Sequence, residues 1–429
     1  MAKTYRPYVP EQDLLLPPSL RDWLPEDHLA FFVSDLVDHL DLSAIMAVYE
    51  DEERGYPPYH PVMLTKVMVY AYCVGVFSSR KIQRRLVEDV AFRVLAAGNT
   101  PDFRTIADFR KMHLAALTGF FEQVLHLARD LGTLRVGRVA VDGSKVKANA
   151  SKHKAMSYGR MKAKRKQLRD EVTALLAQAE ATDAAEDAEY GADRRGDELP
   201  AELQRRASRL QRIREATRAL NARAKDEAAA KGEPVASAKP DPKAQYNFTD
   251  PESRIMKGPD GFVQAYNVQV AVDERQLIVG QTVTQETNDK KQLMPMITTI
   301  EQQSGITPTH VLADAGYCSE ENLAAMAETT IDAYISTRKQ KHGERPGPCP
   351  RGPLPTTATI IDRMSRKLHT KVGAAIYARR KAIVEPVLGQ IKQARGFRQF
   401  LLRGVEKVQG EWSLVCTTHN ILKLYRLCG

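Results

Sequence analysis

Paired cysteines, long apolar runs and hydrolase signatures are all missing from this 429-residue chain. Its cysteines, Cys73, Cys318, Cys349, Cys416 and Cys428, are odd in number, and no two stand at Cys-x-x-Cys spacing. That argues against a disulfide framework and against a zinc ribbon. The longest apolar stretch, residues 62–77, is interrupted by Lys66, so no segment reads as a membrane span. The opening MAKTYRPYVPEQD has no apolar secretory core, which makes the cytoplasm the expected compartment. No Gly-x-Ser-x-Gly elbow surrounds Ser144, and neither His153 nor His419 lies in a triad context, which disfavours a serine nucleophile.

Positive charge, by contrast, is plentiful. Lys and Arg number 63 against 53 Asp and Glu, giving a net charge of +10 and pointing to a polyanionic partner. Placement sharpens the point. Lys152, Lys154, Arg160, Lys162, Lys164, Arg165, Lys166 and Arg169 follow one another with no acid among them, as a phosphate-tracking surface requires. At 43% hydrophobic, the chain can bury the cores of two or three domains.

After a Pro-rich start, apolar residues recur at helical spacing over 29–39, 61–77, 78–86 and from 105 onward, predicting an all-α N-terminal domain over 1–130. Within it, residues 75–93 suit either a helix-turn-helix presenting Ser78, Ser79, Arg80, Lys81, Arg84 and Arg85 to a groove, or a plain bundle with a wet basic edge. Residues 152–245 turn Ala-, Arg-, Lys- and Glu-rich. They predict an inserted hairpin of two polar helices, about 158–181 and 200–231, with a thin apolar stripe at Leu203, Leu210, Ile213 and Leu220. Such an arm suits packing on DNA or on another subunit, or partial disorder when alone.

Beyond residue 245 the period changes to that of an α/β unit. Strands are predicted at 261–273, 276–284, 309–313 and 331–336, helices at 288–300, 320–328, 360–395 and 408–427. Together with a short strand at 138–141, these form a second domain from residues 138–151 plus 246–429. Two of its strands end alike: Val139-Ala140-Val141-Asp142-Gly143, read as a strand that turns immediately after its acid, and Val311-Leu312-Ala313-Asp314 with Gly316 following. Asp142 and Asp314 are therefore candidates for adjacent strand ends. A third acid, Glu385, shares a helix face with Gly389 and Lys392, although Pro386 predicts a kink or a fresh helix start there. Asp289 reads as a first-turn helix residue, Asp332 as a strand-edge acid, and Glu406 and Glu411 as surface charges.

Three converging carboxylates suit Mg²⁺, which takes hard oxygen ligands and commonly shares its shell with substrate phosphate. Two such ions can serve an in-line displacement at phosphorus. Arg379, Arg380, Lys381 and Lys392 supply cations to hold a phosphodiester against that negative cluster.

The blocks VAVDGSKVKANASKHKAMSY, VLADAGYCSEEN and YARRKAIVEPVLGQIKQARGFRQFLLRG, with EWSLVCTTHNILKLYR after them, resemble the DDE transposases of bacterial insertion sequences, nearest the group numbered eleven eighty-two, related to the IS-four type. PVMLTKVMVYAYCVGVFSSRKIQ and PDFRTIADFRK resemble the helical domain preceding that catalytic core. The resemblance implies a ribonuclease H-like mixed sheet flanked by helices, with Asp142, Asp314 and Glu385 ligating two Mg²⁺ ions, for which Mn²⁺ can substitute. It also implies double-stranded DNA as partner, both terminal inverted repeats and target, and a homodimer or larger assembly at synapsis. The related families carry Tyr, two residues, Arg, three residues, Glu, six residues, Lys. Tyr377 and Arg380 fit the first spacing, Glu385 and Lys392 the last, while Arg380 to Glu385 is one residue too long and Lys381 has the right distance to Glu385. Arg380 and Lys381 both stay open as the phosphate-gripping residue. The rival functions are a DNA-binding relative without catalysis and a metal-dependent nuclease without strand transfer.

Overall fold

The computed structural model describes residues 19–50, 57–190, 201–258, 261–338, 349 and 352–428. Most of the loop predicted over 341–355 therefore lies outside the described residues.

The N-terminal part is helical: α1 (Leu29–Asp38), α2 (Ser43–Glu50), α3 (Pro61–Cys73), α4 (Ser79–Glu88), α5 (Val90–Leu95), α6 (Phe103–Met112) and α7 (Leu114–Asp130). Local chemistry sets several of these boundaries. Pro61 opens α3, where its missing N–H costs nothing, and the Asp102 carboxylate caps α6 by accepting from the Arg104 N–H. Next come β1 (Arg138–Lys147), β2 (Ala155–Ser157), α8 (Tyr158–Tyr190), α9 (Ala201–Ala230), β3 (Gln245–Asn247), β4 (Arg254–Gly258), β5 (Gly261–Asp273) and β6 (Ile278–Thr284). The chain ends with α10 (Leu293–Ser304), β7 (His310–Ala313), α11 (Glu320–Ala327), β8 (Asp332–Ile335), α12 (Ile360–His369), α13 (Lys371–Gly389) and α14 (Val405–Cys428).

Among the described residues the main sheet has six strands in the order β4-β5-β1-β7-β8, with β6 also paired to β5. β5 runs antiparallel to β1, and β7 and β8 run parallel to it. Strand β1 is thus central, and its Val139, Ala140 and Val141 are fully buried. Helix α14, with Trp412, Leu414, Val415 and Ile421 buried, packs against α3, α7 and β6, so the N-terminal helices and one face of the sheet share a hydrophobic core. The α8–α9 hairpin has a small core of its own, in which Leu210, Ile213 and Leu220 meet Tyr158, Met161 and Leu168. Among the described residues no helix is long and apolar enough to cross a membrane.

Four expectations need correction. β1 does not turn after Asp142. It continues through Gly143 to Lys147, because β5 offers a partner residue at every step from Asp273 back to Ala265. The predicted helix over 360–395 is two helices broken at Thr370, whose hydroxyl caps α13. Of the two outcomes expected at Pro386, the fresh helix start does not occur, since α13 runs through it to Gly389. Pro386 removes the N–H that Ala382 O would accept, and the Gln276 side-chain amide donates to that carbonyl instead, at 3.0 Å. Glu411 is no surface charge: it is 1% exposed and accepts hydrogen bonds from the Leu401 and Leu402 N–H groups.

Candidate active site

The parallel register pairs Val139 with Val311 and Val141 with Ala313, so the next residue on each strand is an aspartate: Asp142 and Asp314. Their proximity is felt electrostatically. Burial, with the charges of Asp314 and Asp289, raises the Asp142 carboxyl to about 6 against the opposing pull of Arg380 and the Gly143 N–H. Asp142 accepts from the Gly143 N–H at 2.9 Å and Asp314 from the Gly316 N–H at 2.8 Å, which fixes one oxygen of each.

Asp289 belongs to this cluster, and its expected place in a helix's first turn is wrong. Helix α10 begins only at Leu293, and Asp289 sits in the preceding turn, facing the sheet. Its Oδ1 accepts from Asn267 and Gln269, each at 2.7 Å, and pairs with the Lys145 ammonium at 3.4 Å. A Cβ on Gly143 would meet Asp289 Oδ1 at 2.5 Å, and one on Gly316 would meet Asp289 Oδ2 at 3.5 Å. The carboxylate therefore lies between the backbones that carry Asp142 and Asp314. The Tyr317 hydroxyl donates to Gln269 Oε1, and its pKa is raised by burial and by the charges of Asp289, Asp142 and Asp314. One sequence signal could have revealed the site. Asn267 and Gln269 alternate on one face of a largely apolar strand, both fully buried, and buried amides need polar partners.

Helix α13 supplies the other side. Arg380 is buried and reaches Asp142 Oδ2 at 3.4 Å and Glu385 Oε1 at 3.5 Å, so its guanidinium bridges the two acids. Burial opposes its charge, but Asp142, Tyr377, Asp314 and Glu385 together raise its pKa above the ordinary value. Glu385 is 53% exposed on its side chain and joins the cluster through Arg380. Tyr377 lies beside Arg380 and Ser336, with its pKa raised chiefly by burial. Lys381 points elsewhere: it is exposed and lines a separate groove with Ser336, Leu368, His369 and Tyr377. Lys392 donates to Ser144 Oγ and, at 2.9 Å, to Lys145 O, and burial lowers its pKa to about 8. This places an ammonium two residues along β1 from Asp142. Arg80 and Arg84 are on α4, exposed, Arg80 over the Phe103 ring and Arg84 paired with Glu88 at 2.8 Å. Among the described residues no hydrogen bond or ion pair joins either one to the acids.

Asp142 and Asp314 present hard oxygen donors of the kind a divalent cation takes when water and substrate phosphate complete its shell. Among the described residues no group of three His, Cys, Asp or Glu side chains is arranged to hold a metal ion unaided. Arg380 lies between Asp142 and Glu385, within 3.4 Å of the first and 3.5 Å of the second.

Residues 18–112 match the family model described as Transposase domain (DUF772), and residues 237–421 match Transposase DDE domain. No curated protein and no solved structure matches the chain. Asp314, Glu385 and Lys392 fall inside the second match, whereas Asp142 lies between the two and reaches the site because β1 is inserted between β5 and β7. A transposase domain followed on one chain by a transposase DDE domain indicates a DDE transposase.

Proposed function

We propose that this transposase cuts the ends of an insertion sequence and joins the freed 3′ hydroxyls to target DNA, both at the site built on Asp142, Asp314 and Glu385. The observation that carries this reading is the parallel pairing of β1 with β7, which sets Asp142 and Asp314 side by side in a chain matching both transposase models. The strand order β6-β5-β1-β7-β8, with β5 antiparallel to β1, is the basis for reading the sheet as ribonuclease H-like.

In the first step a water oxygen replaces the 3′ oxygen on the scissile phosphorus; in the second, the 3′ hydroxyl oxygen replaces a bridging oxygen of target DNA. Each step exchanges one P–O bond for another, so no protein nucleophile is needed. A DDE domain implies divalent-metal use, and two Mg²⁺ ions, or Mn²⁺ in their place, bound by Asp142, Asp314 and Glu385 would polarise the phosphate and the attacking oxygen. The protein's own side chains do the rest. Arg380, already poised between carboxylates, turns its planar donors to the phosphate, and Tyr377 backs it. Lys392 holds a second phosphate oxygen beside Ser144. Lys381, facing its separate groove, is assigned to flanking DNA instead.

Terminal inverted repeats are assigned to the helical domain over 1–130, with Arg80 and Arg84 of α4 toward the duplex. The insertion over 152–245 and the catalytic unit of 138–151 plus 246–429 complete the chain. Two ends must meet for joining, so the working form is at least a homodimer, acting in the cytoplasm at the nucleoid. The test is Asp314→Asn on a labelled duplex bearing the element end. Mg²⁺-dependent cleavage should fall at least about 100-fold while duplex binding persists. Cleavage at the wild-type rate would overturn the assignment.

A further inference from the structure

We infer that the groove between α9 and the segment Lys152–Lys154 is a docking track for the phosphate backbone of duplex DNA, built by the inserted hairpin; this rests on the transposase reading and deepens it. One wall is Arg205, Arg209 and Arg212, the other His153 and Lys154, and no acid lines the space between them. Spacings of four and three residues put the three arginines on one face of α9, and all three are exposed. Among the described residues none of them has a carboxylate partner, whereas the neighbouring Arg206 is tied to Glu171 at 3.2 Å. The cleft farther along α9, toward its C-terminal end, makes the contrast. Asp226, Glu227, Glu233, Asp241 and Glu286 are interspersed with its cations, so it lacks a field of one sign.

The floor of the arginine groove gives it shape. Ile213 is buried in the hairpin core, and Phe248 and Met156 pack on that core, which holds the two basic walls apart. The Phe248 N–H also donates to Lys154 O at 3.1 Å, tying the second wall to the strand pair β2–β3. Seven residues of helix separate Arg205 from Arg212, about 10 Å at 1.5 Å per residue. That is about three base-pair steps along one DNA strand. Twelve residues of chain join Asp142 to Lys154, so the groove lies at most about 40 Å from the acids. A single duplex of about one helical turn spans that distance, with one part in the acid site and the next in the groove.

Salt dependence tests this directly. Binding of the full-length protein to a fluorescent 30-base-pair duplex is measured between 50 and 200 mM salt for wild type and for Arg205→Gln/Arg209→Gln/Arg212→Gln. A control, Lys257→Gln/Arg363→Gln/Lys407→Gln, removes the same charge at exposed positions elsewhere. Each lost phosphate contact lowers the slope of log K against log salt by about 0.9, so the groove variant should lose about 2 to 3 in slope and at least about tenfold in affinity at 100 mM. The control should keep the wild-type slope, and far-ultraviolet circular dichroism should show the helices of both variants intact. A groove variant with wild-type slope, or a control that falls as far, overturns the inference and leaves the transposase reading standing. The same holds if the variant loses binding only to anionic lipid vesicles or single-stranded RNA. A wild-type protein that does not bind the duplex overturns both.

Discussion

Replacing Gly143 by Ala tests the packing of the acid cluster with a single methyl group. Gly143 lies within β1 in ordinary extended backbone, where Ala normally stabilises by about 0.5–1 kcal/mol through the entropy of the unfolded chain. Here the added Cβ would sit 2.5 Å from both Asp289 Oδ1 and Gln269 Nε2, about 1 Å inside normal contact. Neither neighbour gives way cheaply. Gln269 is fully buried and bonded to Asn267, Asp289 and Tyr317, while Asp289 Oδ1 is held by two amides and Lys145. Overpacking costs about 1–3 kcal/mol, and displacing Asp289 puts at risk charge-assisted hydrogen bonds worth about 1.5–3 kcal/mol each. The expected net loss is about 2–4 kcal/mol. Urea unfolding of wild type, Gly143→Ala, Asp289→Ala and the double variant completes the cycle. Once Asp289 is shortened one of the two clashes disappears and Gln269 loses a partner that held it in place, so the two losses should fall short of additivity by about 1–3 kcal/mol. A neutral or stabilising Gly143→Ala, or strict additivity, would refute the placement of Asp289 over this strand.

Two further outcomes follow from the same geometry. Arg380→Ala should cost about 3 kcal/mol in urea unfolding, since it leaves Asp142 buried without its guanidinium, whereas Lys381→Ala should stay within about 0.5 kcal/mol; equal effects would contradict the assignment of Arg380 to the cluster. Burial raises the Glu411 carboxyl from 4.5 to about 7, so between those values the folded chain keeps a proton that the unfolded chain has released. Its contribution to stability is therefore lost as pH rises through that window, and wild type should lose about 2 kcal/mol relative to Glu411→Gln between pH 5 and 7. Parallel pH profiles of the two proteins would exclude a raised Glu411.

The elements, and much of the acid site, are written locally. A short Val-rich run followed by an acid announces its own strand, which is why Asp142 and Asp314 could be marked as strand-end acids before any pairing was known. The helical spacing of α3 and the alternation of β5 are legible for the same reason: each depends on residues within one turn or one pleat of each other. Glu385 could be marked as a third acid from the helix face it shares with Gly389 and Lys392, and the family blocks pointed to the same residue.

Who meets whom was decided by the tertiary structure. Asp289 has no local mark, and only the fold sets it 2.7 Å from Asn267 and Gln269 and against the strand of Asp142, 147 positions earlier. Likewise Arg380 and Lys381 are neighbours in sequence with opposite fates, because consecutive helix residues point about 100° apart, one toward β1 and one away. Pro386 sits inside a helix where Gln276, over a hundred residues earlier, donates to the carbonyl it leaves bare. The sequence by itself determined most of the helices, five of the strands and the acids that follow two of them, while the short strands β2, β3 and β4 went unread. Strand register and helix rotation, which bring together residues far apart in the chain, determined which of those groups form one site.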